Sequence, residues 1–202
     1  TESLRLLELA ARVRTDAHSR EIDAVWSMPN EATASIFTHL ALSRYIAGDL
    51  AGAEVELERT EQRCRTLAFP QGAFSLAYAR QIEVLIRVES GELQRAKDVA
   101  VALGIDAENC GFDSWAVVAA AQHATVEALQ ALSDSAALQQ HVDTLTMFVD
   151  GMWRELEVKA LITFYDAVIA RLLIADGQLD EARERVDIAL ELSEQTGMAF
   201  YD

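Results

Sequence analysis

A chain of 202 residues, 51% of them hydrophobic, can fill one large domain or a short stack of repeats with a substantial core. Only two prolines and nine glycines interrupt a sequence rich in Ala, Leu and Glu, and no run alternates β-branched and aromatic residues between turn clusters. The chain therefore reads as all-α. A formal net charge of −16 repels phosphate backbones and anionic bilayers, which argues against nucleic acid and membrane surfaces as partners of this segment.

In chain order the apolar pattern predicts antiparallel helical hairpins within a single repeat domain, 1–202. The first hairpin, 1–28, is partial, with a helix near 2–14 and a short one near 20–27 before Pro29. Fuller repeats follow over 29–67, 68–110, 111–152 and 153–197. Their helices pair as 31–47 with 50–66, 71–89 with 92–103, 113–132 with 135–150, and 154–175 with 179–196. Helical pattern begins at Leu4, and Met198 to Asp202 reads as the opening of another helix, so the sequence is expected to be a fragment of a longer chain. No signal-peptide pattern opens it. The most apolar run, 160–175, is broken by Asp166 and Arg171 and is shorter than the roughly 20 residues that span a bilayer. A cytoplasmic protein is the expectation, with Cys64 and Cys110, 46 residues apart, as reduced thiols.

Periodicity is the strongest signal. Ala47-Gly48-Asp49-Leu50-Ala51-Gly52-Ala53, Ser90-Gly91-Glu92-Leu93-Gln94-Arg95-Ala96 and Asp176-Gly177-Gln178-Leu179-Asp180-Glu181-Ala182 share one form, with their glycines 43 and then 86 residues apart. A degenerate turn at Leu132-Ser133-Asp134-Ser135-Ala136 fills the intervening place. Gly enters the left-handed region that ends a helix, the acid or amide after it caps the next one, and Leu and Ala start a new buried stripe. A second landmark falls between hairpins. Gly111 and Gly197 are 86 residues apart, Gly151 sits three residues short of that register, and Ala68-Phe69-Pro70 occupies the equivalent place before Gly111. Stacked in register, such hairpins make an α-α superhelix.

The segments resemble tetratricopeptide repeats. Ala41, Tyr45, Gly48, Asp49, Leu50, Ala53 and Leu57 fall on that motif's small, aromatic, turn and bulky positions, as do Ala170, Gly177, Leu179 and Ala182 in the last copy. The period of 43 exceeds the roughly 34 of the standard repeat. Longer repeats of this kind, with Phe74-Ser75-Leu76-Ala77-Tyr78-Ala79 and Gly197-Met198-Ala199-Phe200-Tyr201-Asp202, are similar to the tetratricopeptide-like (MalT-like) region of bacterial signalling ATPases. Those proteins are cyclase-linked or LuxR-type transcriptional regulators. The resemblance implies a regulatory role in signal transduction. The partner would be a protein or peptide, other domains of the same chain, or a small effector. A free-standing adaptor holding a peptide in a concave groove is the alternative.

No chemistry of its own is legible. A phosphate-binding Gly-rich loop, a serine elbow and an HExxH pattern are all missing, and His18, His39, His123 and His141 have no ligand spacing. The expectation is no enzyme, no catalytic residue, no cofactor and no metal. Glu54, Glu56, Glu58 and Glu61 read as a solvated acidic face, and Trp26, Trp115 and Trp153 as packing at hairpin junctions, Trp153 partly exposed. One sharper reading uses the register. Phe37, Arg80, His123 and Asp166 recur every 43 residues in successive first helices, and the last three form either a candidate polar strip for binding a charged effector or peptide in the groove, or an internal ladder of satisfied polar contacts, or, if the register slips, side chains in solvent.

Overall fold

In the computed structural model the described residues are 2–13, 29–159 and 161–197, and every regular element among them is helical. In order these are α1 (Glu2–Val13), α2 (Ala32–Ile46), α3 (Leu50–Arg65), α4 (Gln71–Glu89), α5 (Leu93–Cys110), α6 (Asp113–Gln130), α7 (Leu138–Phe148), a π-helical turn (Val149–Arg154), α8 (Ile162–Ala175) and α9 (Leu179–Thr196). The expected short helix near 20–27, Trp26 and the helix opening at Met198 lie outside the described residues. No described helix is long and apolar enough to cross a membrane.

The chain divides into two units, residues 1–119 and 120–202. Within the first, α2 packs on α3 and α4 on α5, and α1 lies on α2. Within the second, α8 packs on α9 and on α7, and the π turn touches both α7 and α8. Neighbours in sequence are neighbours in space, as short connections require.

The glycine turns carry this arrangement. Gly48, Gly91 and Gly177 all sit in the left-handed region, at φ +81°, +75° and +80°. In each, the residue after Gly donates its N–H five residues back: Asp49 to the Arg44 carbonyl at 2.9 Å, Glu92 to Arg87 at 2.8 Å, Gln178 to Leu173 at 2.9 Å. That bond satisfies a helix-end carbonyl and reverses the chain. Asp49 also caps α3 by accepting from the Gly52 N–H at 2.8 Å. The turn before α7 has no glycine. It spans residues 131–137 and is held by Asp134, whose N–H donates to the Ala131 carbonyl at 2.8 Å and whose carbonyl accepts from Ala137 at 3.0 Å.

The start of α2 is secured by a buried acid. Glu31 is fully buried, and its carboxylate accepts from the Ala34 N–H at 2.7 Å and from Arg63 of α3 at 3.0 Å. Burial pushes this carboxyl up, but the Arg63 bond and the Ala34 N–H outweigh it and hold Glu31 below the ordinary glutamate range.

Four expectations need correction. The second helix of the 68–110 repeat continues past 103 to Cys110, because Gly104 costs a helix interior only about 1 kcal/mol while the extra turns bury Ala107 against Trp115 and Ala119. The helix expected from 154 begins at Ile162. The π turn ends in a turn at Glu157 (φ +55°), where Val158 donates to the Trp153 carbonyl at 2.9 Å, the same closing bond as in the glycine turns. Trp153 is 8% exposed and lies 4.6 Å from the Tyr165 ring centroid, so it fills the core of the second unit. Glu56 is 4% exposed and paired with Arg59 at 2.8 Å; it is no part of a solvated face.

Two outcomes follow. Gly91→Ala puts a Cβ into a left-handed turn and should cost about 1 kcal/mol, while Glu157→Gly relieves the same strain and should be neutral or stabilising; urea unfolding of both variants checks the pair. Because the Glu31 pKa is lower folded than unfolded, its stabilisation is present above about pH 4.3 and is lost as pH falls through the folded value. Glu31→Gln should therefore be less stable than the parent at pH 7 by roughly 1–2 kcal/mol, with the gap closing towards pH 3; an equal gap at both pH values refutes the account.

Candidate functional site

The four positions spaced by 43 residues do not share one environment. Phe37 lies under the Arg59 guanidinium of α3, 4.0 Å from the ring centroid. Arg80 of α4 reaches α5, donating to the Ala102 carbonyl at 3.2 Å and pairing with Asp106. His123 lies 3.4 Å from Glu127, one turn along the same helix. Asp166 of α8 is fully buried between Arg154 at 2.6 Å and Arg185 of α9 at 3.2 Å. Phe37, Arg80 and Asp166 thus each engage the second helix of their own hairpin. Solvent does not reach the Asp166 carboxylate.

Around Asp166 several unusual features coincide. The π turn places Asp150 and Arg154 beside it, π turns being rare and frequent at functional sites. Leu161, which opens α8, adopts φ +62°, a conformation that costs a branched side chain on the order of 1–3 kcal/mol. Arg185 bonds Asp150 at 2.7 Å and Asp166 at 3.2 Å, with Thr146 at 3.4 Å, and Arg154 bonds both acids from the other side. Two guanidiniums and two carboxylates form a neutral, closed set. Burial keeps the Asp166 carboxyl above its ordinary value against the pull of both arginines. At Asp150 burial also acts upward, yet the Arg185 bond and charge and the Arg154 bond hold the carboxyl below its ordinary range.

This cluster closes one end of a groove of about 560 Å³ between α7 and α9, with α8 beneath. The volume lies within the range of small-ligand and side-chain sites. At the other end Gln178 donates to Gln139 at 2.8 Å across the groove. A second groove, about 420 Å³, lies in the first unit between α3 and α5 above α4; Arg80 lines it, with Glu58 and Asp98 on its two walls. Arg95, Asp98, Val99 and Ala102 there are matched, 86 residues on, by Glu181, Glu184, Arg185 and Ile188 in the larger groove.

A further feature of the first unit is a row of rings. Phe69 stacks on Phe112 at 6.0 Å, Phe74 packs edge-on to Phe112 and Trp115, and Tyr78 joins Trp115 to His39, whose Nε2 lies 3.1 Å from the Tyr78 hydroxyl. Trp115 belongs to the core there, as expected of a junction aromatic. Cys64 is buried, and burial pushes its thiol up to about 11, which makes it a poor nucleophile. Among the described residues no group of His, Cys, Asp and Glu is arranged to hold a metal.

Sequence reasoning singled out Asp166 but missed its partners. Arg154 and Arg185 carry no motif, and only the position of Arg185 on the buried-stripe side of its helix could have pointed to it. Arg185→Ala should leave Asp150 and Asp166 with one guanidinium between them and cost about 3–5 kcal/mol. Urea denaturation reads this directly, and a loss under about 1 kcal/mol would show that the cluster is not a fixed buried set. Searches against family models, curated proteins and solved structures find no match to this chain.

Proposed function

We propose that this chain is a non-catalytic docking and regulatory repeat domain, its hairpins continuing as a superhelix with a period of about 43 residues. The observation that carries the reading is the groove between α7 and α9, an open recess with an aliphatic floor at the strained, charge-clustered part of the fold. Such a recess suits binding. The three like-bonded glycine turns support the repeat, and the resemblance of the longer repeats, Phe74-Ser75-Leu76-Ala77-Tyr78-Ala79 among them, to the repeat region of signalling ATPases supports a regulatory place in a larger protein. Control would then work by differential affinity. A partner that prefers one docking state shifts the population of the attached domain.

The free-standing adaptor is the second reading, and the excess of acidic groups favours basic partners for it. The coding sequence on either side of the segment separates the two. A phosphate-binding loop upstream supports the regulatory domain; a start codon directly before Thr1 with a stop after Asp202 supports the adaptor. The superhelix has its own measure. A compact globule of this length has a radius of gyration of about 17 Å, and small-angle scattering should give a clearly larger value; one at or below that figure refutes the superhelix.

A further inference from the structure

The chemistry of the α7–α9 groove goes further and describes its occupant. Val142, Ile169 and Leu173 form a buried aliphatic floor, and Ile188 stands 38% exposed on the α9 wall. The rim is acidic and exposed, with Asp143 on one side and Glu181 and Glu184 on the other. Arg154 and Arg185, the groove's two cations, are already taken by Asp150 and Asp166. What a ligand meets is therefore the edges of Val142 and Leu173 and the exposed Ile188, inside a negative field.

A small polar ligand needs a few well-placed polar groups to orient it. Here the polar groups at the closed end satisfy one another. An apolar side chain displaces water from the floor, and a cation next to it complements the rim, which steers encounter as well as binding. We infer that this groove docks a peptide segment of a partner protein presenting one aliphatic anchor flanked by Lys or Arg. The inference rests on the docking role given above and adds the partner's chemistry.

The probe is a short fluorescent peptide with one central leucine flanked by lysines, paired with the same peptide carrying glutamate in place of every lysine. Anisotropy should show the lysine peptide binding, with affinity falling several-fold as salt is raised. Amide shifts in isotope-labelled protein should cluster at Val142, Leu173 and Ile188. Ile188→Asp should weaken binding at least about tenfold, and the double change Glu181→Lys with Glu184→Lys by about tenfold. All three positions are surface-exposed, and an unchanged thermal midpoint confirms that each variant is folded. If the glutamate peptide binds the groove as well as the lysine one, the cationic partner is refuted while the docking role survives. If the lysine peptide binds with its affinity untouched by Ile188→Asp, or shifts map elsewhere, the groove is the wrong place. Failure of both peptides to bind removes the inference, while the docking role stands or falls by the flanking coding sequence.

Discussion

One hydrogen bond organises this chain: the N–H after a left-handed residue, donated five residues back to a helix-end carbonyl. It is made by Asp49, Glu92 and Gln178 after glycine, by Phe112 after Gly111, and by Val158 after Glu157. Each such bond ends one helix and sets the direction of the next, so the apolar stripes of two short helices come face to face. Neither helix would hold its stripe out of water alone. The side chains reinforce the turn in the first unit, where Arg44 and Arg87 each pair with the acid that follows the glycine, at 2.7 and 3.0 Å.

The arginines explain where the excess acid goes. Arg87 is 5% exposed and holds Glu54, Glu83 and Glu92, and Arg185 and Arg154 hold Asp150 and Asp166. Planar guanidiniums bind two or three carboxylates at once, which suits them to crowded helix crossings. With those cations drawn inward, the surplus carboxylates are left on the groove walls. Glu56 illustrates the consequence. Its spacing with Glu54, Glu58 and Glu61 suggested a solvated run, but Arg44 and Arg59 draw it into the interior.

The hairpins were largely legible, because glycine and its following acid or amide mark a turn by local chemistry alone. Helix α2 lies at 32–46 against an expectation of 31–47, and α9 at 179–196 matches in full. Legibility failed where a non-glycine took the glycine's role. Glu157 carries no sign of a left-handed turn, so the stretch from 154 to 161 reads as helix, and the π turn before it has no sequence mark at all. Of the candidate site, Asp166 alone is marked by the sequence. Periodic spacing picks out a polar column, and two of its three members, Arg80 and Asp166, tie first helix to second, while His123 pairs with Glu127 on its own helix. The sign of the charge is reversed between the two hairpins. Arg80 reaches Asp106, whereas 86 residues on Asp166 is reached by Arg185. Spacing locates such a tie, but only packing reveals what it joins.

The two grooves differ in register along one wall. In the α9 wall, the groove-lining residues follow those of α5 at 86 residues, but in the α7 wall Asp143, Thr146 and Asp150 follow Glu54, Leu57 and Glu61 at 89. The long turn over 131–137, lacking a glycine to reverse the chain tightly, delivers α7 about three residues late. The residues after the π turn, 155–159, form an irregular connection whose backbone groups stay paired, as the bonds from Leu156, Glu157 and Val158 show. The displacement also carries Asp150 into reach of Arg185, where the first groove has Glu61 and Val99. The charged end of the larger groove thus goes with the three-residue offset of α7, and strain, charge and recess lie together in one part of the second unit.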